Sequence, residues 1–523
     1  MQSVNDPEHD PNSFLGVSTI EPVELSGATA EMKSADSMRA EAEAYRRYTI
    51  ETSQSFDLKA LPNRFLVKVG KFGLAKLLAK EFFHYFGKWD VVFARPCVYG
   101  VFSGPAGGFM PRPNLCVGCL RCTIQHPEFV TILHNPKLAA IGDSYFDAKK
   151  IHTIHQESEA GAVPVKGQGY RGRFGGRGWD GMWTDMSEII RPTRDGIHGR
   201  ETISTLTDLG SRSMSLHFDS SGRWNDTSSA RPRTTSIQLP MLFDMPPLKN
   251  LHREVTEALA DAALRLGTLV ILPYGHIREE GLQLEHGAAI APLIALHELT
   301  TLLNGAWKPA MIESEELVAA SIEMIRDRMP STVISLRISM QQPGWMDRLL
   351  GALDHGYDNV HLVADYHGRG LDADNEPGFM LELLIDAHKA LVRAGIRDRI
   401  TLSGSGGIIQ AEHVPKAIIC GLDAIALDTS LFLAMQAEMI GECISPYSAA
   451  FKLPKRFNSE WGTQRIINLM GSWRDQLLEI MGAMGLREVR RLRGELGRAM
   501  FQQELEMQAF AGIEGFAPIE VTP

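Results

Sequence analysis

Three cysteines lie within seven residues, in the stretch "RPNLCVGCLRCTIQHP". Cys116, Cys119 and Cys122 form the pattern C-x2-C-x2-C, which wraps a loop around an iron–sulfur cluster in ferredoxin-type motifs. Those motifs continue, after three further residues, with a fourth cysteine and a proline. His126 and Pro127 occupy these two places here. The spacing therefore predicts a cluster that takes its fourth ligand from elsewhere or uses an unusual one.

Cys97 is the first candidate for the missing ligand. It precedes Cys116 by 19 residues of Gly- and Pro-rich sequence, and closing such a loop costs little entropy. With it, four thiolates complete a [4Fe–4S] cluster, which we predict in preference to a cluster with His126 as fourth ligand. The alternatives are an open iron or a [3Fe–4S] cluster, a zinc ion, and vestigial cysteines. Zinc is disfavoured because two separate C-x2-C pairs are expected for it.

The composition bounds the class of protein. The chain has 523 residues, enough for two to four domains at roughly 150 residues each. Its formal charge of −10 gives no support to a nucleic-acid partner. Four of the six cysteines lie between residues 97 and 122, which is typical of metal ligands rather than of a secreted disulfide framework. Since no signal peptide and no apolar run of transmembrane length is visible, we expect a cytoplasmic protein without a membrane span.

From residue 235 onward, apolar β-type runs alternate with amphipathic helical segments. Fully apolar strands between helices predict a parallel sheet covered by helices, and the number of units favours an α/β fold of the (β/α)8 TIM-barrel type. A doubly wound open sheet is the alternative. The predicted strands are 237–243, 268–274, 333–339, 360–366, 400–407 and 424–430, and the main predicted helices are 251–267, 314–329 and 377–395.

Four segments are predicted along the chain. Residues 1–55 are expected to be largely disordered, with few apolar anchors. Residues 56–200 form a helical and cysteine-rich iron–sulfur region with a linker, which includes an amphipathic helix at 61–94. Residues 201–460 form the barrel. Residues 461–523 form a C-terminal helical segment, broken near Gly485.

Two turns near the end of the barrel could bind an anion. After the strand at 400–403, Gly406 and Gly407 precede a helix, and glycines there let backbone N–H groups approach a phosphate. The next predicted strand ends in "ALDTS", which offers the hydroxyl groups of Thr429 and Ser430. Barrels of this type commonly bind phosphate at the loops after strands 7 and 8. We count the two turns as following the sixth and seventh strands and predict a phosphate site there.

The same stretch carries a resemblance to a known family. "DRITLSGSGGIIQAEHVPKAIICGLDAIALDTSLFLAM" resembles the FMN-binding barrel of the glutamate synthase family, in which S-G-G-I follows one strand and G-T-A the next. Residues 467–498 resemble the helical segment after that barrel. Residues 187–205 resemble the lead-in of shorter, ferredoxin-containing relatives. The similarity covers roughly 185–500 and is poor in its middle part.

The resemblance implies a cofactor, a reaction and partners. It implies FMN, with its phosphate held by Ser405, Gly406 and Gly407 and by the run Asp428, Thr429 and Ser430. It implies reduction of 2-iminoglutarate, formed from 2-oxoglutarate and ammonia, to glutamate. A ferredoxin-like electron donor or a partner redox subunit is expected to supply electrons, and we expect an oligomer. Since no amidotransferase segment is recognised, ammonia would come from another subunit or from solution.

The chain departs from the family at three loops. "PYGHIREEG" stands in place of a glycine-rich "GEGG", Arg337 in place of a strand lysine, and "DYHGRGLD" in place of "GGTGA". We predict Arg337, His367 and Arg369 as catalytic candidates, because two guanidinium groups can clamp a dicarboxylate. The alternative is a buried arginine paired with a carboxylate inside the barrel. His361 and Asp365 are further candidates, although a histidine at a strand end is more often structural.

Three functions remain open from the sequence. The first is an FMN- and iron–sulfur-dependent oxidoreductase of glutamate synthase type. The second is a non-catalytic electron-transfer or scaffold subunit with a degenerate barrel, which the altered loops favour. The third is a flavin enzyme that acts on a different small-molecule substrate.

Overall fold

The apolar runs of the second half of the chain fold into eight parallel strands that close into a barrel. The structure is a computed structural model, described for residues 48–59, 61–84, 86–87, 97–103, 107–162, 175–176, 178–185, 203–211, 221 and 233–516. Each barrel strand pairs with the next along the chain, and the eighth closes on the first through Ile425 and Met241. The barrel strands are Met241–Phe243, Val270–Pro273, Ile290–Leu293, Met311–Ser314, Val333–Ser339, Asn359–Val363, Thr401–Ser405 and Ala424–Leu427.

The closed barrel confirms the predicted (β/α)8 TIM-type fold, although only six of its eight strands were located from the sequence. The strands at Ile290–Leu293 and Met311–Ser314 were not predicted. Each has only four residues. The first contains Pro292, which is uncommon inside a strand, and the second contains the buried Glu313, which interrupts the apolar pattern. As a consequence, the two predicted phosphate turns follow the seventh and eighth strands rather than the sixth and seventh.

Amphipathic helices cover the barrel. The long helix Ser459–Ala483 packs against Arg253–Leu266 and against Ala148–Ala160 from the segment before the barrel. It ends before Gly485, whose φ of 71° suits glycine. The other helices of the barrel and C-terminal parts are Tyr274–Glu280, Gln283–His286, Leu299–Asn304, Ala319–Arg328, Trp345–Gly351, Met380–Arg393, His413–Ile419, Thr429–Ala434 and Gln502–Phe510.

An antiparallel hairpin closes the amino-terminal end of the barrel. Its strands are Thr207–Ser211 and Arg233–Ile237. The Gly210 N–H donates to the Thr401 hydroxyl at 2.7 Å, at the start of the seventh barrel strand. Leu209 and Ile237 complete the apolar core at this end. Because this end is closed by side chains, any ligand site of the barrel lies at its opposite, carboxyl-terminal end.

Smaller two-stranded pairings join Arg369–Leu371 to Pro377–Phe379, Glu438–Met439 to Phe451–Lys452, and Met182–Thr184 to Ala499–Phe501.

The cysteine-rich region has its own small core. The strand Phe65–Val69 pairs antiparallel with Val130–His134, and the helix Lys71–His84 packs over them through Leu74. The prediction of one helix over 61–94 was therefore wrong at its start, because residues 65–69 find a strand partner more than sixty residues away. Short helices Arg121–Gln125 and Pro136–Ala139 complete the region.

From Thr49 onward, the described residues form one compact unit. The predicted disorder of residues 1–55 lies largely outside the described residues, as does most of the lead-in at 187–205. The four predicted segment boundaries stay predictions. Among the described helices, none combines the length and the apolarity needed to cross a membrane.

Candidate functional site

Four cysteines surround one cavity at the surface of the N-terminal region. Cys97, Cys116, Cys119 and Cys122 all line it, together with Tyr99, Val101, Phe102, Val117, Gly118, Leu120 and Ile132. We call these four residues the cysteine site. Cys119 is exposed, Cys97 and Cys116 are half-buried, and Cys122 is buried. The ring of His126 stacks on Phe129 at 5.0 Å and is not among the lining residues. The structure therefore brings Cys97, and not His126, to the three clustered cysteines.

The loop that carries these thiols requires left-handed backbone at two positions. Gly118 has φ of 74°, and a Cβ there would lie 2.4 Å from the ring of Phe65, so only glycine lets the loop close on the strand below. Leu120 also has positive φ and precedes the short helix Arg121–Gln125. Thr123 donates its hydroxyl back to the Leu120 carbonyl at 2.7 Å. This turn sets Cys119 outside and Cys122 inside the loop.

The thiols influence one another's protonation. Burial raises the pKa of Cys116 and of Cys122, and the neighbouring thiols of the cysteine site raise both further. Metal-bound cysteines are thiolates, so thiols whose pKa values are raised in this way would need a bound cation to ionise. Arg64 acts in the opposite direction on Cys116.

A charged network fills the carboxyl-terminal half of the barrel interior. Arg337 on the fifth strand donates two hydrogen bonds to Asp244, at 2.8 and 3.0 Å, and a third to Glu313 at 2.8 Å. His361 Nδ1 lies 3.0 Å from Glu313, and its Nε2 lies 3.1 Å from the Ser405 hydroxyl. These five side chains are all buried. Asp244 directly follows the first strand, so the network ties five of the eight strands together.

The network satisfies its own charges. Burial alone would raise the pKa of Asp244, but Arg337 and His361 outweigh it and lower the pKa to about 2. For Glu313, burial is likewise outweighed by His361 and Arg337, which lower its pKa. Burial alone would lower the pKa of Arg337, but Asp244 and Glu313 raise it. Arg337 thus adopts the alternative considered for it, a buried arginine paired with internal carboxylates.

The other two catalytic candidates lie in different surroundings. Arg369 begins the hairpin strand Arg369–Leu371 and its side chain is exposed, so it does not join Arg337 in a buried clamp. His367 is buried and its Nε2 lies 3.0 Å from Asp143, a residue of the segment between the cysteine region and the barrel. The carboxylate of Asp365 stabilises the turn that carries His367 and Arg369, because it accepts hydrogen bonds from the backbone N–H groups of both residues.

The two turns predicted to bind phosphate lie side by side, because the seventh and eighth strands are neighbours. We call Ser405–Gly407 and Asp428–Ser430 the strand-end site. Gly406 and Gly407 have φ of 107° and 69°. A Cβ on Gly406 would lie 2.4 Å from the Asp365 carbonyl oxygen, and one on Gly407 would lie 2.7 Å from the Gly368 Cα. Both positions therefore require glycine.

The strand-end site contains buried polar atoms that lack a hydrogen-bond partner among the described residues. They are Asp428 Oδ2, Thr429 Oγ1, Ser430 Oγ and, in the loop beside it, Tyr366 Oη. Leaving such groups unpaired costs roughly 1–3 kcal/mol each, so several together indicate a polar ligand or ordered water. Three of the four are hydroxyl groups, which can donate to phosphate oxygens.

Asp428 is an unusual member of such a site. Its Oδ1 accepts from the Thr429 N–H. Burial, and then the negative charge of Asp244, raise its pKa to about 7, although the Thr429 N–H opposes this. A charged carboxylate would repel a phosphate, whereas a neutral carboxyl group can donate a hydrogen bond to it. The strand-end site therefore fits a phosphate when Asp428 is protonated.

A segment from before the barrel covers this site. Tyr145 donates its hydroxyl to the Gly407 carbonyl at 2.7 Å, and its ring stacks on His367 at 5.5 Å. Asp143 accepts from His367, and the bonds from His367 and from the backbone N–H groups of Tyr145 and Phe146 lower its pKa although burial opposes them. The strand-end residues are buried as a result. Access to them requires this segment to move.

Sequence reasoning missed several of these residues. Asp244, Glu313, Asp143 and Tyr145 were not predicted as members of any site. Asp244 had a usable signal, since a carboxylate directly after a strand lies at the end of the barrel where sites form. Tyr145 and Asp143 had none, because their partners lie more than two hundred residues away.

Comparisons with known proteins agree on one family. A family model described as the conserved region in glutamate synthase matches residues 372–487. The archaeal-type glutamate synthase (NADPH) of Thermotoga maritima is 32% identical over 482 residues, covering 79% of this chain and 93% of that protein. The protein of the same description in Dehalococcoides mccartyi is 24% identical over 442 residues, covering 73% of this chain and 86% of that one. The chain belongs to the glutamate synthase family.

Family membership confirms the resemblance read from the sequence. The archaeal glutamate synthase (NADPH) of Archaeoglobus fulgidus is 23% identical over 481 residues, covering 76% of this chain and 89% of that relative. The similarity to these glutamate synthases thus extends beyond the barrel segment recognised from its motifs.

Proposed function

We propose that the chain is an FMN- and iron–sulfur-dependent oxidoreductase of glutamate synthase type. It would reduce 2-iminoglutarate, formed from 2-oxoglutarate and ammonia, to glutamate. The observation that carries the proposal is the gathering of Cys97 with Cys116, Cys119 and Cys122 around one cavity, in a chain whose barrel belongs to this family.

The spacing of the thiols favours a cluster over a single ion. A tetrahedral zinc ion with Zn–S bonds of about 2.3 Å holds its sulfur ligands within about 3.8 Å of one another. Within the described part of the chain, no three thiol sulfurs lie within 4.8 Å of one another. A wider cage of thiolates suits a [4Fe–4S] cluster, which would carry single electrons. Cys97, Cys116, Cys119 and Cys122 are its proposed ligands.

The strand-end site is the proposed place of the FMN phosphate. The hydroxyl groups of Thr429 and Ser430 and the neutral form of Asp428 would donate to the phosphate oxygens, and the backbone at Gly406 and Gly407 would let those oxygens approach. Bound FMN would supply two-electron chemistry at the mouth of the barrel. Tyr145 and the segment around it would exclude water from the site once a ligand is in place.

The proposed reaction balances with two electrons. Ammonia condenses with the ketone of 2-oxoglutarate and releases one water, and the resulting C=N bond takes up two electrons and two protons. Because Arg337 is already paired with Asp244 and Glu313, it is not free to clamp the substrate carboxylates. Arg369, which is exposed, is the remaining guanidinium of the predicted pair.

Two features of the barrel favour a second function. The strand-end residues are buried beneath Tyr145, and the interior arginine is neutralised by carboxylates. These features suit a chain whose barrel has lost its substrate chemistry and which serves as an electron-transfer or scaffold subunit. In this second candidate function, the cysteine site is retained and the barrel catalyses no reaction.

The visible spectrum of protein purified without oxygen, taken with its iron, sulfide and acid-released flavin content, tests both. We expect broad iron–sulfur absorbance together with released FMN, and Cys119→Ser should remove the first without removing the second. Turnover of 2-oxoglutarate and ammonia with a reduced one-electron carrier then separates the enzyme from the subunit. A colourless protein would overturn the enzyme and the electron-transfer role, and would leave only the scaffold role.

A further inference from the structure

The surface around the cysteine site is apolar and exposed. Val98, Tyr99, Val117 and Leu120 are 74%, 44%, 49% and 47% exposed. Each lies beside a cysteine of the site or two residues from one, and Tyr99, Val117 and Leu120 line the same cavity. We call these four residues the collar. Contiguous exposed apolar side chains with a polar surround mark interaction surfaces rather than ordinary surface.

Cations surround the collar. Arg121 directly follows Leu120, Arg112 is joined through its backbone N–H to the cavity residue Val101, and Arg64 acts electrostatically on Cys116. Arg112 and Arg121 are exposed, and neither guanidinium forms an ion pair with another residue that the structure describes. Unpaired surface cations beside an apolar patch are suited to a partner of opposite charge.

The charge of the whole region points the same way. Residues 61–137 carry ten Lys and Arg against three Asp and Glu, a formal charge of +7, in a chain whose net charge is −10. The positive charge is thus concentrated in the region that holds the thiols. An acidic partner would be attracted to this region and repelled by the remainder of the chain.

We propose that the collar and its arginine rim are the docking surface of an acidic one-electron carrier protein. The inference rests on the proposed function, since it assigns the partner of the cysteine site. Electron tunnelling falls steeply with distance, and Cys119 is the exposed thiol at the centre of the collar. Each encounter passes one electron from the reduced carrier to the site, and two encounters supply the pair that the reaction consumes.

The size of the surface fits this kind of partner. Electron-transfer encounters are weak and bury less than about 1,200 Å² in total. Four apolar side chains and three arginines suffice for such an interface, in which charge sets the rate of association and the apolar centre sets the closest approach.

Charge reversal at the rim tests the proposal on the full chain. The probe is an acidic [2Fe–2S] ferredoxin, with a basic cytochrome c as the opposite-charge probe. We measure association by stopped flow at ionic strengths from about 0.01 to 0.5 M, over which the Debye length shrinks severalfold. The wild type should associate with ferredoxin fastest at low salt. Arg112→Glu with Arg121→Glu should slow this by about tenfold or more.

A matched variant controls for net charge. Lys455 and Arg456 are an exposed cationic pair outside the cysteine region. Lys455→Glu with Arg456→Glu makes the same change in total charge and should leave the ferredoxin rate unchanged. Val117→Ser should speed dissociation by about fivefold through lost apolar contact, without changing the salt dependence.

The outcomes separate this inference from the proposed function, because iron and sulfide are measured on the same samples. Protein that holds a cluster but associates equally fast in both charge variants overturns the docking surface and leaves the function standing. Protein without iron that still binds ferredoxin in the charge-dependent way supports the surface and overturns the cluster. Preference for cytochrome c, or for vesicles of anionic lipid, over ferredoxin would also overturn the docking surface.

Discussion

The cysteine site and the barrel mouth differ in how far apart in sequence their partners lie. At the cysteine site, three cysteines come from one seven-residue stretch and the fourth from 19 residues earlier, and the thiol of Cys119 stays exposed. At the barrel mouth, Arg337 is bound by carboxylates from two other strands, and His367 by Asp143, which lies 224 residues away. Residue type marked candidates at both places. Contacts between distant parts of the chain determine which of these candidate side chains are already paired with a carboxylate and which remain able to bind a ligand.

The largest expected effect concerns the fourth ligand at the cysteine site. Cys97→Ser should abolish the full iron and sulfide content of anaerobically purified protein, because the cavity loses one of its four thiols. The measurement is iron and acid-labile sulfide per chain, with electron paramagnetic resonance of the reduced sample.

His126→Ala is the matched variant for that prediction. Its ring packs on Phe129 away from the cavity, so the cluster content should equal that of the wild type. If His126→Ala loses the cluster while Cys97→Ser keeps it, the comparison between the two regions fails. The fourth ligand would then be the residue at the expected motif position, and not the residue that the fold brings to the cavity.

The buried arginine gives the next largest effect. Arg337→Gln leaves Asp244 and Glu313 as buried carboxylates without their cation, which should lower the free energy of unfolding by about 3–5 kcal/mol. The same change at the exposed Arg369 should alter it by less than about 0.5 kcal/mol. Denaturant unfolding of both variants measures the contrast. A stable Arg337→Gln variant with a raised KM for 2-oxoglutarate would instead make Arg337 a substrate ligand.

The sequence predicted what depends on local pattern. The barrel class followed from apolar strands alternating with amphipathic helices, and the turns at 405–407 and 428–430 followed from glycine and hydroxyl residues after strands. The strand Met311–Ser314 was missed because Glu313 points a carboxylate into the interior, where an apolar residue is expected. That carboxylate is tolerated only because Arg337 and His361 meet it, and no local pattern records such a pairing.

The same limit applies to the helix predicted at 61–94 and to the cover of the strand-end site. Residues 65–69 are a strand because 130–134 are available to pair with them. Gly407 is covered because Tyr145, from before the barrel, reaches its carbonyl oxygen. Both features arise from contacts between distant parts of the chain. These contacts explain why the sequence identifies candidate residues but does not show whether another part of the chain pairs with them or covers them.

A smaller effect is expected from pH at the strand-end site. The pKa of Asp428 is raised to about 7, so its carboxyl group is neutral below that pH and charged above it. A charged Asp428 repels phosphate, and the dissociation constant for FMN should therefore rise above pH 7, toward tenfold per pH unit. Fluorescence titration of the apoprotein between about pH 6 and 9 measures it.

Asp428→Asn removes the titrating group from that experiment and should bind FMN with little change across the same range. Asp374→Asn, at an exposed loop position, should keep the wild-type dependence. A wild type whose FMN affinity is independent of pH would mean that Asp428 does not face the phosphate, and the strand-end site would then need another ligand to explain its unpartnered atoms.

The smallest effect isolates one long-range contact. Tyr145→Phe removes the hydroxyl that donates to the Gly407 carbonyl and leaves the half-buried ring in place, which should lower the free energy of unfolding by about 1 kcal/mol. Tyr99→Phe makes the same change in the exposed collar and should have no measurable effect. If Tyr145→Phe also speeds FMN binding, the segment limits entry to the barrel mouth. Equal stability of both variants would show that the covering segment does not depend on this hydrogen bond, and the contrast between the two regions would then rest on Asp143 and His367.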